Sequence, residues 1–137
     1  MKKRTAVSKI MSTDIISVNK TQTLQDVNKL IKDNSIHHVP VVSGGNVIGM
    51  LSKTDLQKIS FVNTFDGDSL TTAMYDALTI EQVMTKELSV VKSTDTIYDV
   101  AVILSTKDFH ALPVLEDGKL VGIVTSRDLI KYLLEQY

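Results

Sequence analysis

His37-His38-Val39-Pro40-Val41-Val42-Ser43-Gly44-Gly45-Asn46-Val47-Ile48-Gly49-Met50-Leu51-Ser52-Lys53-Thr54-Asp55-Leu56 is the stretch that decides the fold. It returns 73 positions later as His110-Ala111-Leu112-Pro113-Val114-Leu115-Glu116-Asp117-Gly118-Lys119-Leu120-Val121-Gly122-Ile123-Val124-Thr125-Ser126-Arg127-Asp128-Leu129. In each version two β-rich runs flank Gly-Gly or Asp-Gly, turns that need positive φ, so His38–Ser43 with Val47–Leu51 and Ala111–Glu116 with Leu120–Val124 are expected to form hairpins. Pro40 and Pro113 have no N–H to give a ladder, so this strand is expected at a sheet edge or to start irregularly. Ser52 and Thr125 then cap a closing helix, Lys53 to about Ser60 and Ser126 to about Gln136.

Outward from this core the repetition continues. Ile10–Ile59 lies on Val83–Tyr132 without a gap, and fourteen of the fifty pairs are identical, among them Met11/Met84, Thr23/Thr96, Asp26/Asp99, Gly49/Gly122 and Asp55/Asp128. Ile16–Val18 and Ser89–Val91 read as short extended pieces. Thr23 and Thr96 follow as N-caps with Asp three residues on. Leu24, Val27, Leu30 and Ile31, and their counterparts Ile97, Val100, Ile103 and Leu104, form a one-sided stripe at helical spacing that belongs to a core. Each copy is therefore β-α-β-β-α, and the fold class is α+β: two tandem repeats, 1–60 and 80–137, with a connector at 61–79. In the connector Phe65–Asp68 reads as a turn and Ser69–Leu78 as a short helix. About fifty residues bury an apolar face poorly, so the copies are expected to close on each other about a pseudo-twofold axis, with any site between them.

Composition narrows the function. Fifteen Lys plus Arg against sixteen Asp plus Glu give a net charge of -1, which offers no general pull toward nucleic acid or an anionic membrane. Lys2-Lys3-Arg4 reads as a solvated terminus. Hydrophobic residues make up 43% and charged residues 23%, the balance of a soluble globular chain. There is no cysteine, which suits a reducing compartment. No apolar run approaches the roughly 18 residues of a membrane span, and the N-terminus lacks a signal-peptide apolar region, so a cytoplasmic protein is expected.

The chemistry concentrates at Gly49-Met50-Leu51-Ser52-Lys53-Thr54-Asp55 and its twin Gly122–Asp128. Taken once, Ser/Thr-x-x-Asp before an apolar run is a capping box. Two further features favour a nucleotide cleft: glycine permits close backbone approach, and a helix N-terminus attracts phosphate, with Lys53 and Arg127 as cationic help. An Asp in that turn can accept both ribose hydroxyls.

The tandem motif G-h-h-[ST]-x-x-D (h, apolar), behind an h-H-x-h-P-V strand, resembles a CBS domain pair, or Bateman module, over nearly the whole chain. The resemblance implies a pair of three-stranded sheets with clefts that hold AMP, ADP, ATP or S-adenosylmethionine. It implies ribose binding by Asp55 and Asp128, and ribose and phosphate contacts from Ser52 and Thr125. It implies a base pocket of Met11, Ile16, His38, Val39 and Pro40, and a second of Met84, Ser89, Ala111, Leu112 and Pro113. Lys53 with Thr54 against Ser126 with Arg127 makes unequal affinities the expectation. It further implies a stand-alone regulatory module, a homodimer and a regulated protein the residues do not name.

His37 and His110 are repeat mates, for which a hydrogen bond to backbone or to a ligand phosphate is expected. Neighbours such as His37 and His38 point to opposite faces of an extended segment, so no metal site is expected. The paired methionines read as core filler. No nucleophile–base pair, P-loop or convergent carboxylate pair stands out, so no catalytic residue and no enzyme are expected. The alternative is a structural or interaction module in which the Ser/Thr-x-x-Asp boxes only cap helices.

Overall fold

The computed structural model describes residues 4–61, 77–108 and 110–137. The expected turn at Phe65–Asp68 and the body of the helix expected from Ser69 lie outside the described residues, as do Lys2 and Lys3. Within them the chain runs as a 3₁₀ turn Val7–Lys9, β1 Val18–Asn19, α1 Leu24–Asn34, β2 His38–Ser43, β3 Asn46–Ser52, α2 Lys53–Phe61, α3 Ile80–Val83, β4 Val91–Lys92, α4 Ile97–Thr106, β5 Ala111–Glu116, β6 Lys119–Thr125 and α5 Ser126–Glu135. The class is α+β, with two three-stranded sheets ordered β1-β2-β3 and β4-β5-β6.

The caps that define the helices are made as the residue types predict. Thr23 accepts from the Asp26 N–H at 3.1 Å while Asp26 accepts from the Thr23 N–H at 3.0 Å. Thr96 and Asp99 repeat this reciprocal pair before α4, and Thr79 with Gln82 makes it before α3. Each box satisfies two of the N–H groups a helix start leaves without partners. The hairpin turns take positive φ, 58° and 85° at Gly44 and Gly45, and 53° and 79° at Asp117 and Gly118. Asp tolerates this left-handed region better than most side chains, so the two turns are equivalent despite different residues.

The prolines do not mark an edge. β2 is central, parallel to β1 through Val18↔Val41 and Asn19↔Val42 and antiparallel to β3. Pro40 stands opposite Met50, whose own N–H and C=O are both turned away from β2 to the Thr85 backbone. The proline nitrogen therefore faces the β1 side, and β1 begins pairing one residue later, at Val41. No ladder bond is lost. Pro113 is arranged identically, opposite Ile123, with β4 pairing from Val114. The register slips just beyond, between Val41 and Val42 and between Val114 and Leu115, leaving Ile48 and Val121 as the extra residues of two matching bulges beside Gly49 and Gly122.

The chain divides into two compact units whose limits cut across the sequence repeat. One is Ile16–Leu88. The other combines Met1–Ile15 with Ser89–Tyr137. In the first, Val18, Leu24, Val27, Val39, Val41 and Leu51 are joined in one core by Ile80 and Met84. In the second, Val91, Val100, Leu112, Val114 and Val124 are joined by Val7. Val7 and Ile80 sit 73 positions apart and both are fully buried. Each copy therefore completes its core with the leading segment of the other. A copy begun at its own first strand lacks that apolar plug, and β-α-β-β-α alone has too little buried surface to replace it.

Candidate functional site

The starts of α2 and α5 carry the residues singled out above. Asp55 accepts from the Ser52 N–H at 2.9 Å and the Asp55 N–H donates to Ser52 Oγ at 3.1 Å. In the other unit Asp128 Oδ2 accepts from the Thr125 N–H at 2.8 Å and from Thr125 Oγ1 at 3.1 Å, and the Asp128 N–H donates to Thr125 Oγ1 at 3.2 Å. Both pairs are capping boxes in geometry. Both differ from those at Thr23 and Thr96 in being partly buried rather than exposed. In each, the bonds fall on Oδ2; among the described residues Oδ1 of Asp55 and Asp128 takes none.

The preceding strand is tied to the same spot. The His37 carbonyl accepts from the Lys53 N–H at 2.8 Å, and the His110 carbonyl from the Ser126 N–H at 3.0 Å. His38 pairs across the hairpin with Ser52, and Ala111 with Thr125. One end of the β2–β3 hairpin thus gathers His37, His38, Ser52, Lys53 and Asp55, with Val39 and Pro40 buried directly behind. The other hairpin gathers His110, Ala111, Thr125, Arg127 and Asp128, with Leu112 and Pro113 buried behind. The imidazoles of His37 and His110 are exposed, as are Lys53 and Arg127. Ile16 and Ser89 are half-buried two residues ahead of β1 and β4.

Two expectations change here. The space above Gly49 is taken by Met84: a Cβ there would collide with the thioether sulfur and lie 2.8 Å from Cγ. Gly122 is covered in the same way by Met11, with the Ser12 carbonyl 3.1 Å away. The close approach these glycines permit is that of a methionine, not of a phosphate. The methionines are also exchanged relative to the expected pockets: Met84 belongs to the core containing Val39, and Met11 packs on the core containing Leu112. The reason is the crossing of the leading segments. Backbone pairs at Met50↔Thr85 and Ser12↔Ile123 seat those segments on the outer edges of β3 and β6. Ser12 and Thr85 were not recognisable as important by type, yet the 73-residue offset links Met11 to Met84 as it links Gly49 to Gly122, and that double identity is the available signal.

A groove of about 680 Å³ lies elsewhere, lined by Val90–Asp95 and Leu115–Gly118. This is the turn end of β5, opposite the Ala111–Thr125 end that carries Asp128.

A β-α-β-β-α unit made twice, each copy ending its hairpin in a half-buried hydroxyl–carboxylate box, defines a class of tandem-repeat α+β modules. The chain belongs to the CBS domain family, which matches it at residues 7–61 and 80–135. An uncharacterised protein of Methanocaldococcus jannaschii is 33% identical over 95% of this chain and 44% of its own length. The chain spans 24% to 44% of the length of three curated relatives it matches. The CBS domain pair of protein MJ0100, solved in complex with 5′-methylthioadenosine and S-adenosyl-L-methionine, superposes with a TM-score of 0.81 at 24% identity, covering 97% of this chain and 98% of that one. A CBS protein solved in complex with AMP gives 0.79 at 22% identity over 96% and 98%. Among the described residues no helix is long and apolar enough to cross a membrane.

Proposed function

We propose that the chain is a regulatory module that binds an adenosine-type ligand, AMP, ADP, ATP or S-adenosylmethionine, at the Ser52–Asp55 and Thr125–Asp128 ends of its two sheets. The observation that carries this is the pair of half-buried boxes, each with one carboxylate oxygen used by the cap and the other uncommitted among the described residues. A cis-diol offers two donors to such an oxygen, and a carboxylate accepts both. The exposed Lys53 and Arg127 stand in the first helical turn, where the positive end of the helix dipole adds to their own charge in favouring an anion. Ligands named for the two solved relatives share the adenosine moiety, which supports the class and leaves the tail open.

The buried Val39–Pro40 and Leu112–Pro113 segments supply apolar surface for a base, and Ile16 and Ser89 remain candidates for it. In this reading the module catalyses nothing. It works in the cytoplasm as a homodimer, and ligand-dependent packing alters its contacts with a regulated protein. Tyr98, Val102, Ile130 and Leu134 expose apolar surface on α4 and α5, which favours a second copy there.

Melting shifts with AMP, ATP and S-adenosylmethionine test the proposal, since a ligand bound by the folded state alone must raise stability. Asp55→Asn and Asp128→Asn keep an acceptor for the cap and remove the charge. Each is expected to lower the ligand-induced shift while leaving the unliganded melting temperature within a few degrees. A shift absent from the wild type, or untouched in the double variant, returns the boxes to a capping role alone.

A further inference from the structure

The leading segments do more than fill the cores. Thr85 donates to the Met50 carbonyl at 2.9 Å and accepts from the Met50 N–H at 3.1 Å, two residues ahead of Ser52. Met84, immediately before it, covers Gly49 with its thioether and is 8% exposed. The edge of β3 that delivers Ser52 and Asp55 is thus clamped by a segment belonging, in sequence, to the second copy. Ser12 donates to the Ile123 carbonyl at 2.8 Å and accepts from the Ile123 N–H at 3.0 Å, with Met11 over Gly122, so the edge of β6 that delivers Thr125 and Asp128 is clamped by the first copy's segment. The contacts fall in one local order in both units: glycine under methionine, backbone bridge, apolar residue, hydroxyl, two residues, carboxylate.

We infer that Met84 and Met11 are positioning residues for the Asp55 and Asp128 sites respectively, acting through Gly49 and Gly122 and not by touching ligand. The assignment is crossed: the methionine of the second copy sets the site of the first, and the reverse. A strand edge with an open glycine has no side chain to restrain it, and a thioether lying on the Cα is a flexible but close cover. Removing it frees β3 at Gly49–Met50 to shift on the bulge at Ile48, and the hydroxyl and carboxylate shift with it. Preorganisation of the ribose contact is then lost before the fold is. This inference rests on the adenosine reading for its effect on affinity, but not for its effect on the strand.

The experiment therefore has two arms on the full chain. Without ligand, amide hydrogen exchange is followed at Met50–Asp55 and at Ile123–Asp128. Met84→Ala is expected to speed exchange in the first segment and spare the second; Met11→Ala does the opposite. With AMP, affinity is measured in Asp128→Asn, which leaves the Asp55 site, and in Asp55→Asn, which leaves the other. Met84→Ala is expected to weaken AMP about tenfold in the former and leave the latter within about twofold, with the pattern reversed for Met11→Ala. Adding Gly49→Ala to Met84→Ala, which puts a methyl into the vacated space, is expected to restore part of the affinity. Equal exchange and equal affinity losses at both ends, or losses at the end in the methionine's own copy, overturn the inference. Crossed exchange without any AMP binding upholds the positioning and instead removes the adenosine reading.

Discussion

At the residue scale the most constrained positions are the two glycines under methionine, and they are not equivalent. The three atoms nearest a Cβ at Gly49 all belong to the side chain of Met84, whose sulfur and Cγ can swing aside and leave its Cβ at 3.2 Å, whereas at Gly122 the third is the Ser12 carbonyl oxygen at 3.1 Å, which is pinned by its bond from Ile123. Gly122→Ala is accordingly expected to cost about 1–3 kcal/mol and Gly49→Ala less, by the usual cost of overpacking. Urea unfolding of both variants checks the order; a larger loss at Gly49 contradicts it. The candidate site could be nominated from residue types, a hydroxyl and a carboxylate three apart, a cation beside them and a proline behind, and those residues do meet at one end of each hairpin. Gly49 and Gly122 announced close approach but not by what, since a glycine records only the absence of a side chain. The visitor is 35 residues further along in one case, Met84 over Gly49, and far earlier in the chain in the other, Met11 under the same logic over Gly122.

At the scale of elements, identical capping boxes serve different ends. Thr23–Asp26 is exposed and starts a helix; Ser52–Asp55 starts a helix at a sheet end and is partly buried. Thr23→Ala is expected to lower stability by about 1 kcal/mol, the usual value of such a cap, with ligand affinity unchanged. Ser52→Ala is expected to lower both. Denaturant midpoints paired with AMP titrations separate the two effects, and an affinity loss in Thr23→Ala equal to that of Ser52→Ala would contradict the distinction. Hairpins, helices and caps were read correctly from the chain because their signals are local: turn residues needing positive φ, apolar spacing, Thr-x-x-Asp. Of the two places the prolines allowed for their strand, a sheet edge or an irregular start, the edge does not hold, for a physical reason. Proline excludes only its own N–H from a ladder, and a parallel neighbour two residues long leaves that position uncovered even in the middle of a sheet.

At the scale of the whole molecule, the exchange of Val7 and Ile80 makes neither sequence repeat self-sufficient. Residues 80–137 expressed alone lack Val7 and leave Ile80 without the core it fills. This fragment is expected to show no cooperative unfolding transition as a monomer; it can fold only if two copies lend each other the segment around Ile80 in place of Val7. Calorimetry with light scattering decides, and a monomeric fragment with a sharp transition would contradict the interdependence. The same exchange has a consequence for biosynthesis. Ile16–Leu88 is continuous, so all the residues of its core are available once Met84 has left the ribosome. The other unit joins Met1–Ile15 to Ser89–Tyr137, so Val7 waits for the synthesis of Val91, Val100, Leu112 and Val124, the residues whose core it shares. Sequence separation of this kind slows folding and lengthens the exposure of apolar surface. Of the two units, the one containing Asp128 is thus the later to mature, and the one that a chaperone or protease acting on nascent chains would meet incomplete for longer.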